Sequence, residues 1–426
     1  MASPTTEYSI QFKDVIRVAK TRMFIKAGLL LDGNGSPPLR GPVVDDRVTD
    51  VFSGSAPTPA EGKVLDLGGA TIMPGMCDAH VHLFGHRGYG VAASIVPPHD
   101  LHVLRAGDDC RKMLMAGFTS TRDCGSVIAL SLAAASKEGS IAGPHIWASG
   151  KVICQTGGHS DAHFLPISVV QNDPNFSGRL ADGPDECRKA AREQLRMGAD
   201  FIKICTSGGV GSEKDHPLDE HLTVPEIAAI TEEAHRAGKR VATHAQGAPG
   251  VKNAIRAGVD TVEHGYFLDD ESISMMLDKG TWFVPTFTLI EVFKTTLARP
   301  MDLPPWRLKK QPECIVAMEK SFLKAYKAGV RIAAGTDYFG APLRAHGDNA
   351  DEPITMVKYG MRPMDAIVAV TRAGAQCIGV EKDMGTLEKG KIADIIAIKG
   401  NPLDDITLLK TGVSFVMKAG RVYKQD

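Results

Sequence analysis

Residues 70–85, ATIMPGMCDAHVHLFG, hold a short apolar run, a Pro-Gly break, and two histidines one residue apart. An apolar run of this length bounded by Pro and Gly reads as a strand, and His80 and His82 close it. Side chains alternate with a period of two on extended backbone, so both imidazoles share one face and only Val81 points the other way. One cation can accept both rings. Downstream the same texture returns in FTSTRD, HIWASGK, DFIKICTS, RVATHA, DTVEHG, TWFVPTF and VRIAAGTD. Helical stretches fill the gaps, among them VPEIAAITEEAHRAGK (224–239) and PECIVAMEKSFLKAYKAG (312–329).

Strands alternating with helices signal parallel βα units, and eight such strands predict an α/β fold with a closed (β/α)8, or TIM, barrel over residues 73–383. A doubly wound open sheet is the structural alternative, but no GxGxxG or GxxxxGK[ST] loop follows the first strand. The chain ends have a different grammar. From Met23 to about Asp66, β-branched runs are broken by Asp-Gly, Asn-Gly and Pro, which predicts small antiparallel strands. Near the other end, IADIIAIKG, NPLDD and VSFVMKAGRVYK predict a strand, a turn, and a hairpin pivoting near Ala419 and Gly420. Residues 1–72 and 384–426 are therefore expected to meet in one small β-sandwich domain.

Composition narrows the function classes. Fifty acidic residues against 49 Lys+Arg give the 426-residue chain a net charge of -1, so nothing favours a nucleic-acid or anionic-membrane partner. Hydrophobic residues at 43% and charged ones at 23% are ordinary for a globular protein and exclude wholesale disorder. The richest apolar stretches are interrupted well short of the roughly 18 residues a membrane span needs. Glu7, Lys13 and Asp14 stand where a secretory signal would need an apolar run, so the expected location is the cytoplasm. Eight cysteines are scattered singly, as reduced and mostly buried thiols would be.

Barrel active sites gather at the C-terminal ends of the strands. There the chain places His80 and His82, Lys203 in FIKICTSGG, His244 in ATHAQG, His264 in VEHG and Asp337 in AAGTD. A single histidine or aspartate at such a position is usually a hydrogen-bonded structural residue or a cap. Four histidines, a lysine and an aspartate converging on one face mark a metal or catalytic site instead. An ammonium has no lone pair for a metal, so Lys203 needs its own account. Among Phe201, Ile202 and Ile204, desolvation favours the neutral amine, and a neutral amine captures carbon dioxide. The resulting carbamate can bridge two divalent ions about 3.5–4 Å apart; the alternative is a buried lysine paired with a neighbouring carboxylate.

On these residues, from the PGMCDAHVH opening to the GTLEKGKIADIIAI exit, the sequence resembles the binuclear branch of the amidohydrolase superfamily. The resemblance implies that His80, His82 and Asp337 bind one metal, His244 and His264 the other, and carboxylated Lys203 both. A bridging hydroxide would be the nucleophile and Asp337 the group that moves its proton. Zinc is the expected metal, although such ligands also accept manganese, cobalt or iron. The mononuclear deaminases of the superfamily carry His-x-x-Glu on strand five. Here the pattern is His244-Ala245-Gln246-Gly247, so two-metal hydrolysis fits better.

Within the superfamily, GGHSD, IKICTSGGVGS, HAQG, VEHG and GTD resemble the group of ochratoxinase and Xaa-Pro, carboxypeptidase-like enzymes. That implies hydrolysis of the amide of an N-acyl amino acid or dipeptide, ochratoxin A being one such molecule. His159, in GGHSD, would steady the carbonyl oxygen, with His163 beside it. Gly208 and Gly209 would expose backbone N–H groups to a substrate anion. Arg344 would fork onto a substrate carboxylate, with His346 near it, and Gln246 stands where members of the group carry an aromatic residue or a second histidine. A small-molecule amide is the expected partner and a homo-oligomer the expected state. Cyclic amides, carbamates or ureas form an alternative substrate class, and a scaffold without metal is the non-enzymatic reading.

Overall fold

The computed structural model describes residues 23–37, 48, 63–89, 91–299 and 303–426. The first 22 residues, expected to carry no secretory signal, lie outside them, as does most of 38–62.

The first strand is shorter and later than the sequence suggested. ATIMPGM breaks at Gly75: the Gly75 N–H donates to Asp394 O at 2.9 Å and the next N–H, of Met76, to Gly117 O at 2.9 Å. Consecutive residues thus enter different sheets. Gly75 is required at that switch because a Cβ there would lie 2.1 Å from Thr119 Oγ1.

Two parallel sheets carry the site. One consists of Met76–Val81, Phe118–Asp123 and His145–Ala148. The other runs Trp282–Val284, Thr261–Phe267, Val241–Gly247, Ile202–Cys205, Val152–Cys154 and Gly178–Leu180. Strands buried on both faces read as continuous apolar runs rather than alternating ones, and all residues of Met76–Val81, Phe118–Asp123 and Val241–Gly247 are buried. The expected single closed sheet is not continuous. HIWASGK turns at Gly150, whose φ is +69°, and its continuation Val152–Cys154 pairs in the second sheet. VRIAAGTD forms no regular strand, only an isolated bridge from Ile332 to Phe283, and it ends at Asp337 with a φ of +57°. It still hydrogen-bonds to both sheets, Phe283 N–H donating to Arg331 O at 2.8 Å and Asp337 N–H to His80 O at 2.7 Å.

Helices pack outside the strands, including Val224–Arg236 and Pro305–Ala328. All eight cysteines are free and buried. Among the described residues no helix is long and apolar enough to cross a membrane.

The chain ends share a five-stranded sheet, in the order Arg421–Gln425, Val413–Lys418, Ile395–Ile398, Thr71–Pro74 and Leu29–Leu30. The hairpin turns at Ala419 and Gly420, both at positive φ. The N-terminal strands differ from expectation: Leu29–Leu30 pairs parallel with Thr71–Pro74, and Met23–Lys26 parallel with Lys63–Asp66. Parallel pairing needs a long connection between partners, which the intervening residues supply. Ile25, Leu30, Ile72, Ile395 and Phe415 form a core joining the two ends. Phe415 is fully buried there, so Phe415→Ala is expected to cost about 3–5 kcal/mol, read as a lower denaturation midpoint.

Candidate metal centre

The charge at the heart of the site is an ion pair between the two sheets. Arg122, in Phe118–Asp123, donates to Glu263 Oε1 at 2.7 Å, and Glu263 Oε2 accepts from His80 Nδ1 at 2.7 Å. Arg122 also donates to Ala79 O at 2.6 Å. Glu263 is fully buried and Arg122 nearly so, and burial of this kind is tolerable only when charges are paired and their remaining hydrogen bonds are made. Neither residue was singled out from the sequence. The available signal was an Arg and a Glu inside runs, FTSTRD and DTVEHG, that had to be buried on both faces.

This pair sets the tautomer of His80. With Nδ1–H given to Glu263, Nε2 is the lone-pair nitrogen, and it lies 3.5 Å from Asp337 Oδ1. His82 Nε2 reaches the same oxygen at 3.2 Å. His80, His82 and Asp337 thereby converge tightly enough to hold a cation.

His264 and His244 also have a partner behind the ring. His264 Nδ1 lies 2.9 Å from Thr286 Oγ1, and His244 Nε2 lies 3.1 Å from Gly208 O. An N–H committed to an outer acceptor leaves the opposite ring nitrogen for a metal. The rings form a cluster, with centroids 5.1 Å apart for His80 and His264 and 4.5 Å for His244 and His264. Burial holds His80 well below the usual imidazole range. Burial and neighbouring histidines do the same to His244 and His264. All three are therefore neutral, as ligands must be.

Lys203 lies on Ile202–Cys205, beside the strand of His244, and is 3% exposed. Its Nζ has no hydrogen-bond partner, so the paired-lysine alternative finds no carboxylate among the described residues. A buried ammonium without a partner is costly, and carboxylation would turn it into the anion that neighbouring cations require. The donor set and the orphaned amine both fit a two-metal centre.

Asp337 is pushed up by burial, but the His82 hydrogen bond and the Arg344 charge outweigh that and hold it far below the usual range. Its φ of +57°, like +73° at His264 and +47° at Thr286, is a conformation that non-glycine residues adopt at a cost of roughly 1–3 kcal/mol. Asp78 fastens this corner, accepting from Thr336 Oγ1 at 2.8 Å and Asn349 Nδ2 at 2.7 Å. Burial lifts the Asp78 carboxyl to about 6 against those bonds.

A cavity of about 530 Å³ opens over the cluster, and His159, His163, Gln246 and Arg344 line it with the six candidate ligands. His159 stacks on His244 with centroids 3.9 Å apart. Its Nδ1 lies 2.8 Å from Ser212 Oγ and 3.7 Å from Asp215 Oδ2. Asp215 is raised by burial, but bonds from His159, Ser212 and the Gly209 N–H hold it well below the usual range. His163 Nδ1 accepts from the Lys214 N–H at 3.1 Å. The buried Gln246 Oε1 and Arg344 Nε have no partner.

Three expected substrate contacts sit elsewhere. Gly208 and Gly209 lie behind the imidazoles rather than on the cavity wall. A Cβ on Gly209 would fall 2.3 Å from His159 Cε1 and 2.9 Å from His244 Nε2, so the glycines let backbone approach the rings. His346 is buried beneath the site, its Nε2 3.1 Å from His82 O.

The Amidohydrolase family pattern matches residues 71–423. The chain belongs to the amidohydrolase family. It is 33% identical over 428 residues to ochratoxinase of Aspergillus niger, covering 94% of this chain and 86% of that one. The solved structure of A. niger ochratoxinase superposes with a TM-score of 0.85 at 32% identity, over 95% of this chain and 96% of the other. A Xaa-Pro dipeptidase with methionine bound in its active site gives 0.87 at 33% identity, over 95% and 100%. This amidohydrolase is a metal-dependent hydrolase of amide C–N bonds.

Because Glu263 holds both Arg122 and His80, Glu263→Gln leaves a buried guanidinium undercompensated. A loss of about 3–5 kcal/mol is expected on denaturation. Divalent-metal affinity should fall roughly ten- to a hundredfold, checked by metal titration with elemental analysis.

Proposed function

We propose that this amidohydrolase is a two-metal, carboxypeptidase-like amidase that releases an amino acid from N-acyl amino acids or dipeptides, ochratoxin A included. The observation carrying the two-metal reading is Lys203, a buried amine without a partner in the midst of four histidines and Asp337. The substrate class is supported by the likeness to ochratoxinase and Xaa-Pro dipeptidase. His80, His82 and Asp337 would hold one cation, His244 and His264 the other, and Lys203, as the carbamate formed with carbon dioxide, both. Two divalent cations, zinc being the expected ones, supply a nucleophile from water at neutral pH and polarise a carbonyl.

The chain's own groups do the rest. Asp337, an anion steadied by Arg344 Nη1 at 3.3 Å from Oδ2, takes the proton of the attacking water and delivers it to the departing nitrogen. That delivery is needed because an amide anion is too basic to leave unprotonated. His159, its Nδ1–H held by Ser212 beside Asp215, would donate to the carbonyl oxygen from Nε2 in its imidazolium form as negative charge grows there. Arg344 and Gln246 line the cavity beside the ligand cluster and would meet the substrate there, with His163 on the same wall. Phe84, Ile128, Phe164 and Phe176 give an acyl or aryl group an apolar surface.

The architecture belongs to the same reading. The two parallel sheets, bridged through residues 331–338, are taken as one (β/α)8 barrel spanning 73–383, and the shared sheet as part of a β-sandwich built from 1–72 and 384–426.

The test is amine release by metal-loaded protein from N-acyl amino acids, dipeptides, ochratoxin A, a cyclic imide and a phenylurea, beside Lys203→Ala and Asp337→Asn. Amino acid release is expected, falling at least about a hundredfold in either variant, within the range single catalytic groups contribute. Release only from the imide or the phenylurea would overturn the substrate class. Silence with no stoichiometric metal would overturn the enzyme reading.

A further inference from the structure

We propose that Arg307, at the start of helix Pro305–Ala328, is the residue that selects substrates by binding the α-carboxylate of the amine half, with Arg344 as its partner across the cavity. The inference rests on the amidase reading and names how that substrate is held.

Arg307 lines the same cavity as the metal-ligand cluster. Its Cζ lies 5.9 Å from the Tyr89 ring centre. Tyr89 meets Phe339 edge-to-face with centroids 5.7 Å apart, and Arg344 Cζ lies 5.2 Å from the Phe339 ring. The two guanidiniums therefore bracket one aromatic pair, whose quadrupoles favour a cation on the ring face. Their anions do not match them in number. Arg344 has Asp337, which is already assigned to a metal, and its Nε is buried without a partner. The Arg307 guanidinium has no hydrogen-bonding or ion-pair partner among the described residues. Burial, reinforced by the charge of Arg344, lowers Arg307 to about 10, and an anion between them would relieve both effects.

Helix formation does not explain the residue. Arg307 stands in a first turn, where the helix dipole disfavours a cation. The turn is nevertheless firmly placed: three residues on, the nearly buried Lys310 donates to Gly209 O at 2.9 Å and Ser212 O at 2.7 Å. These bonds tie the helix to the loop that packs on His159. A Cβ added at Gly211 would lie 3.5 Å from Arg307 Nη2 and 3.5 Å from His159 Cε1, so guanidinium and imidazole flank one small space. In an N-acyl α-amino acid only the nitrogen and the α-carbon separate the carboxylate from the scissile carbonyl. The spacing thus suits an α-carboxylate beside a carbonyl held by His159, rather than a carboxylate on a distant arm.

The probes are N-benzoyl-L-phenylalanine and its C-terminal carboxamide, which differ only in that charge. Calorimetric binding and amine release are measured on metal-loaded wild type, Arg307→Gln and Arg307→Lys, with thermal melts confirming that each variant is folded. Wild type is expected to favour the carboxylate. Arg307→Gln should raise Kd and KM for it roughly ten- to a hundredfold, as expected for a charge-assisted hydrogen bond, while shifting the carboxamide far less. Arg307→Lys should fall between, because an ammonium keeps the charge but cannot fork. Equal changes for both probes, or none, would overturn the assignment while amine release in wild type kept the amidase reading intact. Arg307-dependent discrimination in binding without amine release from either probe would keep the carboxylate site and overturn the amidase reading.

Discussion

The buried pair of Arg122 and Glu263 is the constraint on which the rest of the molecule leans. It crosses from one parallel sheet to the other in the buried interior, and it fixes the proton on His80. Taking two such charges from water costs several kcal/mol per ion, more than a packing role would justify when aliphatic side chains could fill the same volume. The cost has a use here. A neutral, oriented imidazole at position 80 depends on an anionic acceptor behind it, and an anion in that core depends on Arg122.

Strain follows the same pattern. His264, within its strand, Thr286, just past Trp282–Val284, and Asp337, closing VRIAAGTD, hold left-handed backbone; His264 and Asp337 line one cavity and the Thr286 hydroxyl lies behind His264. Gly209 does the complementary work by having no side chain, so that loop backbone lies directly against His159 and His244. Lys310 then ties that loop to the helix bearing Arg307. The wall of the cavity is therefore built on the same fixed elements as its floor.

Legibility in the sequence divided along the range of the interactions. That His-x-His, VEHG and GTD lie on one cavity could be read because a polar residue near a strand end follows from local periodicity and a following turn. Helix 224–236 could be read, and helix 305–328 from Pro312 onward, but not its first turns, because a proline usually opens a helix and Pro312 lies inside this one; the Ala419-Gly420 hairpin could be read from its turn residues. Arg307 could not, because its neighbours PPW and LKK give it the look of a solvated basic residue. Gly208 and Gly209 looked like anion binders, since a Gly-rich loop announces close approach without saying to what. ATIMPGM looked like one strand because its two halves are equally apolar, and only the partners of Gly75 and Met76 separate them.

The sequence by itself determined the chemistry of the donors, the alternation of strands and helices, and a site at the strand ends, because these depend on residue type and on periods of two and 3.6. Tertiary structure decided which nitrogen of His80 is free, that Lys203 Nζ has no hydrogen-bond partner, that the N-terminal strands pair in parallel, and that Arg307 reaches the cavity. Each of these depends on groups distant in the chain, such as His80 and Glu263, 183 positions apart, and a distance of that kind leaves no local pattern.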